Sequence, residues 1–131
     1  MTDTEESKEE KPWLFDDVGQ WVEEFLLPMY RRPLDDAALF RWDPQWWRYP
    51  EVCMRLEALW GTWEKMRYEG APGLAVWFRD YLDPMMREIL SPVGPFHAYK
   101  PHEDDGTERA LPAQMPSAPI PEGLFRLPDQ N

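Results

Sequence analysis

Prolines partition this chain before any other residue is considered. Fifteen of its 131 residues are proline, and a proline fixes φ, lacks a backbone donor and disrupts helix interiors. Pro28, Pro33, Pro44 and Pro50 forbid one long element between 28 and 50. Ser91-Pro92 ends whatever precedes it. After Phe96 the chain is polar and carries Pro101, Pro112, Pro116, Pro119, Pro121 and Pro128.

The windows that remain read as helices. Val18, Trp21, Val22, Phe25 and Leu26 fall in one arc at 100° per residue, with Glu23 and Glu24 pointing away. Asp17 with Gln20 resembles a capping box, and Pro28 argues for a stop near it. The strongest pattern opens at Tyr49-Pro50-Glu51, runs over about 51–69 and closes at Gly70. It aligns Val52, Cys53, Leu56, Leu59, Trp60, Trp63 and Met66, leaves Glu51, Glu57, Glu64, Lys65 and Glu69 outside the arc, and lays the Arg67 stem on the core with its head toward water. A third pattern, from Gly73 to Leu90, puts Leu74, Trp77, Phe78, Tyr81, Leu82, Met85 and Ile89 on one face. Its phase survives Pro84, which predicts a kink there, or two helices nearly in line with Asp83 capping the second. Between 28 and 50 the reading is coarser: a short helical turn or an extended stretch at Asp35 to Phe40, then Asp43-Pro44 as cap and first position of a turn over Gln45 to Arg48.

The expected fold class is therefore all-α: a small bundle of about three amphipathic helices, the third kinked at Pro84, with disordered N- and C-terminal tails. By residue this is an acidic leader 1–12, a helical domain 13–96 and a Pro-rich tail 97–131. A folded part of about 80 residues is small for a single core, and bulky aromatics offset that. Eight Trp, six Phe and five Tyr are present.

Charge separates along the chain. Residues 1–28 hold nine acids against two bases, residues 29–90 ten against nine, and residues 91–131 six against three, for a net −11. The single cysteine, Cys53, excludes an intramolecular disulfide framework and fits a reducing compartment. The acidic start is not a secretory signal, and no apolar run reaches the length of a membrane span. A cytoplasmic protein with no membrane association is the expectation.

The stretch Arg41-Trp42-Asp43-Pro44-Gln45-Trp46-Trp47-Arg48-Tyr49-Pro50-Glu51, followed by Arg55 to Trp60, Trp77 to Pro84 and Gly94-Pro95-Phe96, resembles a family of uncharacterised actinobacterial domains with a W-x-P-x-W-W-x-x-P-E signature. The resemblance covers roughly residues 40–96. It implies a gene carried on a conjugative plasmid, integrated element or phage, and it implies no activity. It also implies relatives with Cys at position 43, His at 49, 81 and 86, and Cys near 99, a set that suits Zn²⁺. This chain has Asp43, Tyr49, Tyr81, Met86 and Tyr99 there, so no metal is expected.

No catalytic, metal-binding or cofactor-binding set emerges from the residues. His97 and His102 lack a cysteine partner in reach. Cys53 lies on an apolar arc, where a thiol behaves as a small hydrophobe. Asp80 and Asp83 could share a helix face, but one reads as a cap and the other as solvated. Gly70-Ala71-Pro72-Gly73 is a connector without the Lys and Ser/Thr of a phosphate loop. The expectation is no enzyme.

Binding is the better class. Trp46 and Trp47 are adjacent and cannot both point one way on a regular element. Either one lies near the surface beside Arg41 and Arg48, forming a candidate surface for an unidentified protein partner, or both wedge between helices. The same Arg and Trp residues could meet single-stranded nucleic acid, against the net charge. A further alternative is an acidic inhibitor of a host DNA-binding protein. Gly123-Leu124-Phe125-Arg126-Leu127-Pro128 reads as a short docking peptide in the tail.

Overall fold

The computed structural model describes residues 11–34, 39–100 and 114–125, and these residues form helices and turns without strands. Helix α1 (Val18–Trp21) passes through a π-helical turn (Val22–Leu26) into α2 (Leu27–Met29). A 3-10 turn at Trp46–Arg48 leads into α3 (Pro50–Met66). A second 3-10 turn, Arg67–Glu69, is followed by α4 (Gly70–Val76), a second π turn (Trp77–Leu82) and α5 (Asp83–Leu90). Leu39 and Phe40 form a bend, and residues 35–38 of the Asp35 to Phe40 stretch lie outside the described residues, as do residues 1–10 of the leader.

Both π turns stand immediately upstream of a proline, and the physical reason is shared. A proline cannot donate to the carbonyl four residues back, and its ring crowds that carbonyl. Leu27, just before Pro28, donates its N–H to Val22 O, and Asp83, just before Pro84, donates to Phe78 O. Each bond spans five residues instead of four, so the widened turn accommodates the ring without interrupting the helical backbone. Asp83 is itself helical (φ −61°, ψ −46°) and caps nothing, contrary to expectation. Its carboxylate accepts a hydrogen bond from the Tyr30 hydroxyl at 3.4 Å.

The π turn also corrects the expected apolar face. Projection at 100° per residue assumes a uniform helix, yet from Trp77 the next inward residue is Leu82, five positions on. Trp77, Leu82, Met86, Ile89 and Leu90 are buried, while Phe78 and Tyr81 are 38% and 40% exposed. In the first window the same slip brings Leu27 inside with Val18, Trp21, Val22 and Leu26, and leaves Phe25 only half-buried. The capping reading is close to the structure: Asp17 accepts the Gln20 N–H at 2.8 Å, and the Gln20 side chain reaches back to the N–H of Asp16.

Helix α3 lies against both helical runs. Val52, Leu56, Leu59 and Trp63 are buried, and Trp21, Phe25, Trp63 and Trp77 gather with ring centroids 4.7–6.4 Å apart. Such rings bury roughly 150–250 Å² each. The Trp77 indole N–H is satisfied by Leu59 O at 3.2 Å and the Thr62 hydroxyl at 3.0 Å.

Glu64, expected outside the apolar arc, is fully buried. The reason is tertiary. Residues 12–15 fold back over α3, and the Glu64 carboxylate accepts the Leu14 and Phe15 N–H groups at 2.8 and 2.9 Å, the Trp60 indole N–H at 2.9 Å and the Arg67 guanidinium at 3.2 Å. Four donors replace its lost water.

The turn from α3 to α4 depends on two glycines. Gly70 has φ 72°, a left-handed conformation that side chains disfavour. Gly73 sits against the preceding helix end, where an added Cβ would lie 2.5 Å from Met66 O and 2.7 Å from the Glu69 Cβ. Gly73→Ala is expected to destabilise the fold by about 1–3 kcal/mol through overpacking against backbone, measured as a lower urea midpoint with unchanged slope. A neutral result would mean that α4 moves freely relative to α3.

The expected unstructured tail from 97 onward also requires correction. Residues 97–99 continue in turns from Phe96, and 114–125 lie against the helices, with Met115 buried. The stretch 101–113, including His102, is outside the described residues.

Candidate functional site

The site begins with local chemistry at Asp43-Pro44. The Asp43 carboxylate accepts the Gln45 N–H at 2.9 Å and fixes the start of the 3-10 turn. Three tryptophans are thereby grouped: Trp42 and Trp46, 2% and 0% exposed with rings stacked at 6.4 Å, and Trp47, half-buried beside them. Phe96 meets Trp42 edge-on at 5.4 Å and Tyr49 at 4.7 Å. The result is an aromatic shelf whose three indole N–H groups face one strand of chain.

That strand is the proline-rich segment Met115-Pro116-Ser117-Ala118. Trp42 Nε1 donates to Pro116 O at 2.7 Å, Trp46 Nε1 to Ser117 Oγ at 3.0 Å and Trp47 Nε1 to Ala118 O at 3.2 Å. Three indoles thus engage three consecutive residues. The backbone adds Met115 N–H to Leu27 O at 3.1 Å and Ala118 N–H to Pro44 O at 2.8 Å, and the Ser117 hydroxyl donates to Glu23 Oε2 at 2.8 Å. Beyond a turn at Gly123, Phe125 stacks on Trp46 at 5.7 Å with ring planes 9° apart. Gly19 admits it: a Cβ there would come within 2.9 Å of the Phe125 ring. A cavity of about 300 Å³ remains between α1 and this strap, lined by Gly19, Glu23, Ile120 and Phe125 among others.

A family model for a domain of unknown function, DUF4913, matches residues 15–121. The chain belongs to the DUF4913 family. The matched region reaches through Pro121 and so includes Pro116, Ser117 and Ala118 as well as the helices. Searches of curated proteins and of solved structures return no match.

The four residues expected at a binding surface of this DUF4913 domain have different fates. Arg41 is half-buried, its guanidinium donating to the carbonyls of His97 and Tyr99 at 2.7 and 3.2 Å. Trp46 is core. Trp47 is half-buried under Ala118. Arg48 is exposed and bonds Gln45. Both indoles therefore wedge inward, under a strap formed by part of the Pro-rich tail. Within the Gly123 to Pro128 stretch, Phe125 stacks on Trp46 of its own chain; residues 126–128 lie outside the described set. The available signal was the coincidence of unpaired indole donors with a Pro-x-x-Pro stretch, Pro116 to Pro119, but nothing local linked the two.

The remaining candidates do not converge. Asp80 pairs with its neighbour Arg79 at the surface, and that hydrogen bond holds its carboxyl below the ordinary range. Cys53 donates its thiol to Trp47 O at 3.4 Å, and burial with nearby Glu57 pushes its pKa up, away from nucleophilic character. His97 is exposed and contacts Gly94 O. Among the described residues, no group of three His, Cys, Asp or Glu could hold a metal ion, and no helix is long and apolar enough to cross a membrane.

Asp43 and Tyr49, two of the positions where the resemblance implies metal ligands, instead hydrogen-bond each other at 2.6 Å. Burial, then the bond to the Asp43 carboxylate, pushes the Tyr49 hydroxyl up to about 12. Because the folded value lies above the unfolded one, the stabilisation is complete below pH of about 10 and is lost as pH rises through 12. Tyr49→Phe is expected to flatten the loss of stability between pH 9 and 11.5, measured by urea denaturation against the parent chain. Equal slopes in both proteins would exclude Tyr49 as the source.

Proposed function

We propose that this domain is a non-enzymatic protein-interaction module whose tryptophan shelf grips an extended, proline-bearing polypeptide. One observation carries the reading: the indole N–H groups of Trp42, Trp46 and Trp47 engage three consecutive residues of a proline-rich strand. Two of those bonds go to backbone carbonyls, which any polypeptide supplies. Proline-rich strands bind aromatic-lined grooves with little entropy loss because they are extended beforehand. In this reading the runs 18–29, 50–69 and 70–90 serve as a three-helix scaffold, and the chain's own strap is the resident ligand.

The wider setting proposed is an accessory protein of a plasmid, integrated element or phage, acting in the cytoplasm. It is supported by the resemblance carried by the Trp42 to Glu51 signature and by the lone cysteine. The nucleic-acid alternative has less support, because the Arg41 guanidinium is committed to two carbonyls and the net charge is −11.

The test uses a defined bait, residues 114–125 fused to an inert carrier. Full-length chain carrying Ala118→Pro loses the N–H that bonds Pro44 O, which loosens its own strap, and is expected to be captured. The parent chain, with its shelf occupied, is expected to be captured at least tenfold less. Failure to capture a folded Ala118→Pro chain at high bait concentration would sink the reading.

A further inference from the structure

We propose that the shelf selects its polypeptide ligand by a hydroxyl, so that the partner segment it accepts is Pro–(Ser/Thr)–x–Pro, of which Pro116 to Pro119 is the resident copy. This rests on the reading above that the shelf docks polypeptide, and it adds what the shelf reads.

The observation is the double engagement of Ser117. Its oxygen accepts the indole N–H of Trp46 at 3.0 Å while its proton goes to Glu23 Oε2 at 2.8 Å, a closer acceptor than Ala118 O at 3.3 Å. Trp46 is fully buried, so its donor has no water to fall back on. One atom must therefore accept from an indole and donate to a carboxylate. A hydroxyl does both, a methyl does neither, and an acidic side chain would set a second carboxylate against Glu23. The flanking positions are read differently. At 116 and 118 the shelf contacts main-chain carbonyls, and the strand N–H groups bound by the domain are those of Met115 and Ala118. Pro116 and Pro119 fall where no N–H is called on, and each holds the preceding residue extended. One selective hydroxyl between two backbone-read positions, the first of them a proline and the second followed by one, defines the ligand.

The experiment has a cis arm and a trans arm, both on the full chain. In cis, the Trp46 Nε1 proton is followed by hydrogen exchange in the parent, Ser117→Thr and Ser117→Ala chains. Exchange is expected to be within about threefold of the parent for threonine and at least tenfold faster for alanine. In trans, the Ala118→Pro/Phe125→Ala chain, its strap released, is titrated with synthetic peptides of residues 114–121 bearing Ser, Thr or Ala at the 117 position. Ser and Thr peptides are expected to bind, with the Ala peptide at least tenfold weaker. Equal binding of Ser and Ala peptides overturns hydroxyl selection and leaves the docking reading standing. No binding of any peptide to a folded, strap-released chain overturns both. A released chain that cannot fold makes the strap an inseparable part of the core and overturns both as well. Unchanged exchange in Ser117→Ala overturns the selection whatever the trans arm shows.

Discussion

Trp46→Ala is expected to cost about 3–5 kcal/mol of stability, among the largest effects of any single substitution in this chain. Trp46 is fully buried, stacks on Trp42 and on Phe125, and donates to Ser117. Truncation removes the ring and leaves a cavity that the 3-10 turn cannot close, because Asp43 holds both its start, through the Gln45 N–H, and its end, through the Tyr49 hydroxyl. The strap loses its stacking surface at the same time. The measurement is urea denaturation of parent and variant, paired with limited proteolysis across 114–125. A midpoint loss with faster tail cleavage is the expected pair. A variant that keeps the parent midpoint would show that Trp46 is peripheral. Trp46→Ala is thus a probe of folding, and partner binding is better probed at Trp47, where phenylalanine removes the indole N–H and keeps a ring.

Glu64→Leu is expected to destabilise by about 3 kcal/mol or more, although leucine is the better core residue by polarity. Removing the carboxylate leaves two backbone N–H groups and one indole N–H without an acceptor at a part-buried site, and strands the Arg67 guanidinium. An unmet buried donor costs about 1–3 kcal/mol, and breaking a buried charged pair from one side costs about 3–5. Arg67 is partly exposed, so the lower end of that range applies. Glu64→Gln keeps the shape and one acceptor and is expected to fall between the two. Stability within about 0.5 kcal/mol of the parent for Glu64→Leu would mean that residues 12–15 do not depend on this carboxylate.

These two residues also show where local patterns were informative and where they failed. The turn over Gln45 to Arg48, the start at Pro50 and the glycine at 70 were all legible, since each depends on φ restriction, a local side-chain bond or a missing donor within four residues, whereas the helix runs through Pro28 and ends only at Met29. The apolar faces were legible up to each π turn and shifted beyond it. A five-residue turn before Pro28 and before Pro84 is a response of the backbone to the ring, and a fixed 100° step cannot anticipate it. For the candidate site, Trp46 and Trp47 were recognised and their surroundings were not.

From its order of residues alone, the chain determined a helical character, the start of the long helix at Pro50 and the buried face up to each π turn, because those follow from backbone restrictions and from periodic burial over neighbouring residues. Only the tertiary structure decided that Glu64 is buried, that Arg41 braces the 97–99 turn, and that the tryptophans hold the segment 115–118. Each of these joins residues 49 to 74 positions apart. Such pairings are set by which surfaces remain unsatisfied once the helices have packed: a buried carboxylate needing donors, and buried indoles needing acceptors. Local pattern does not encode that remainder, and here it is what shapes the candidate site.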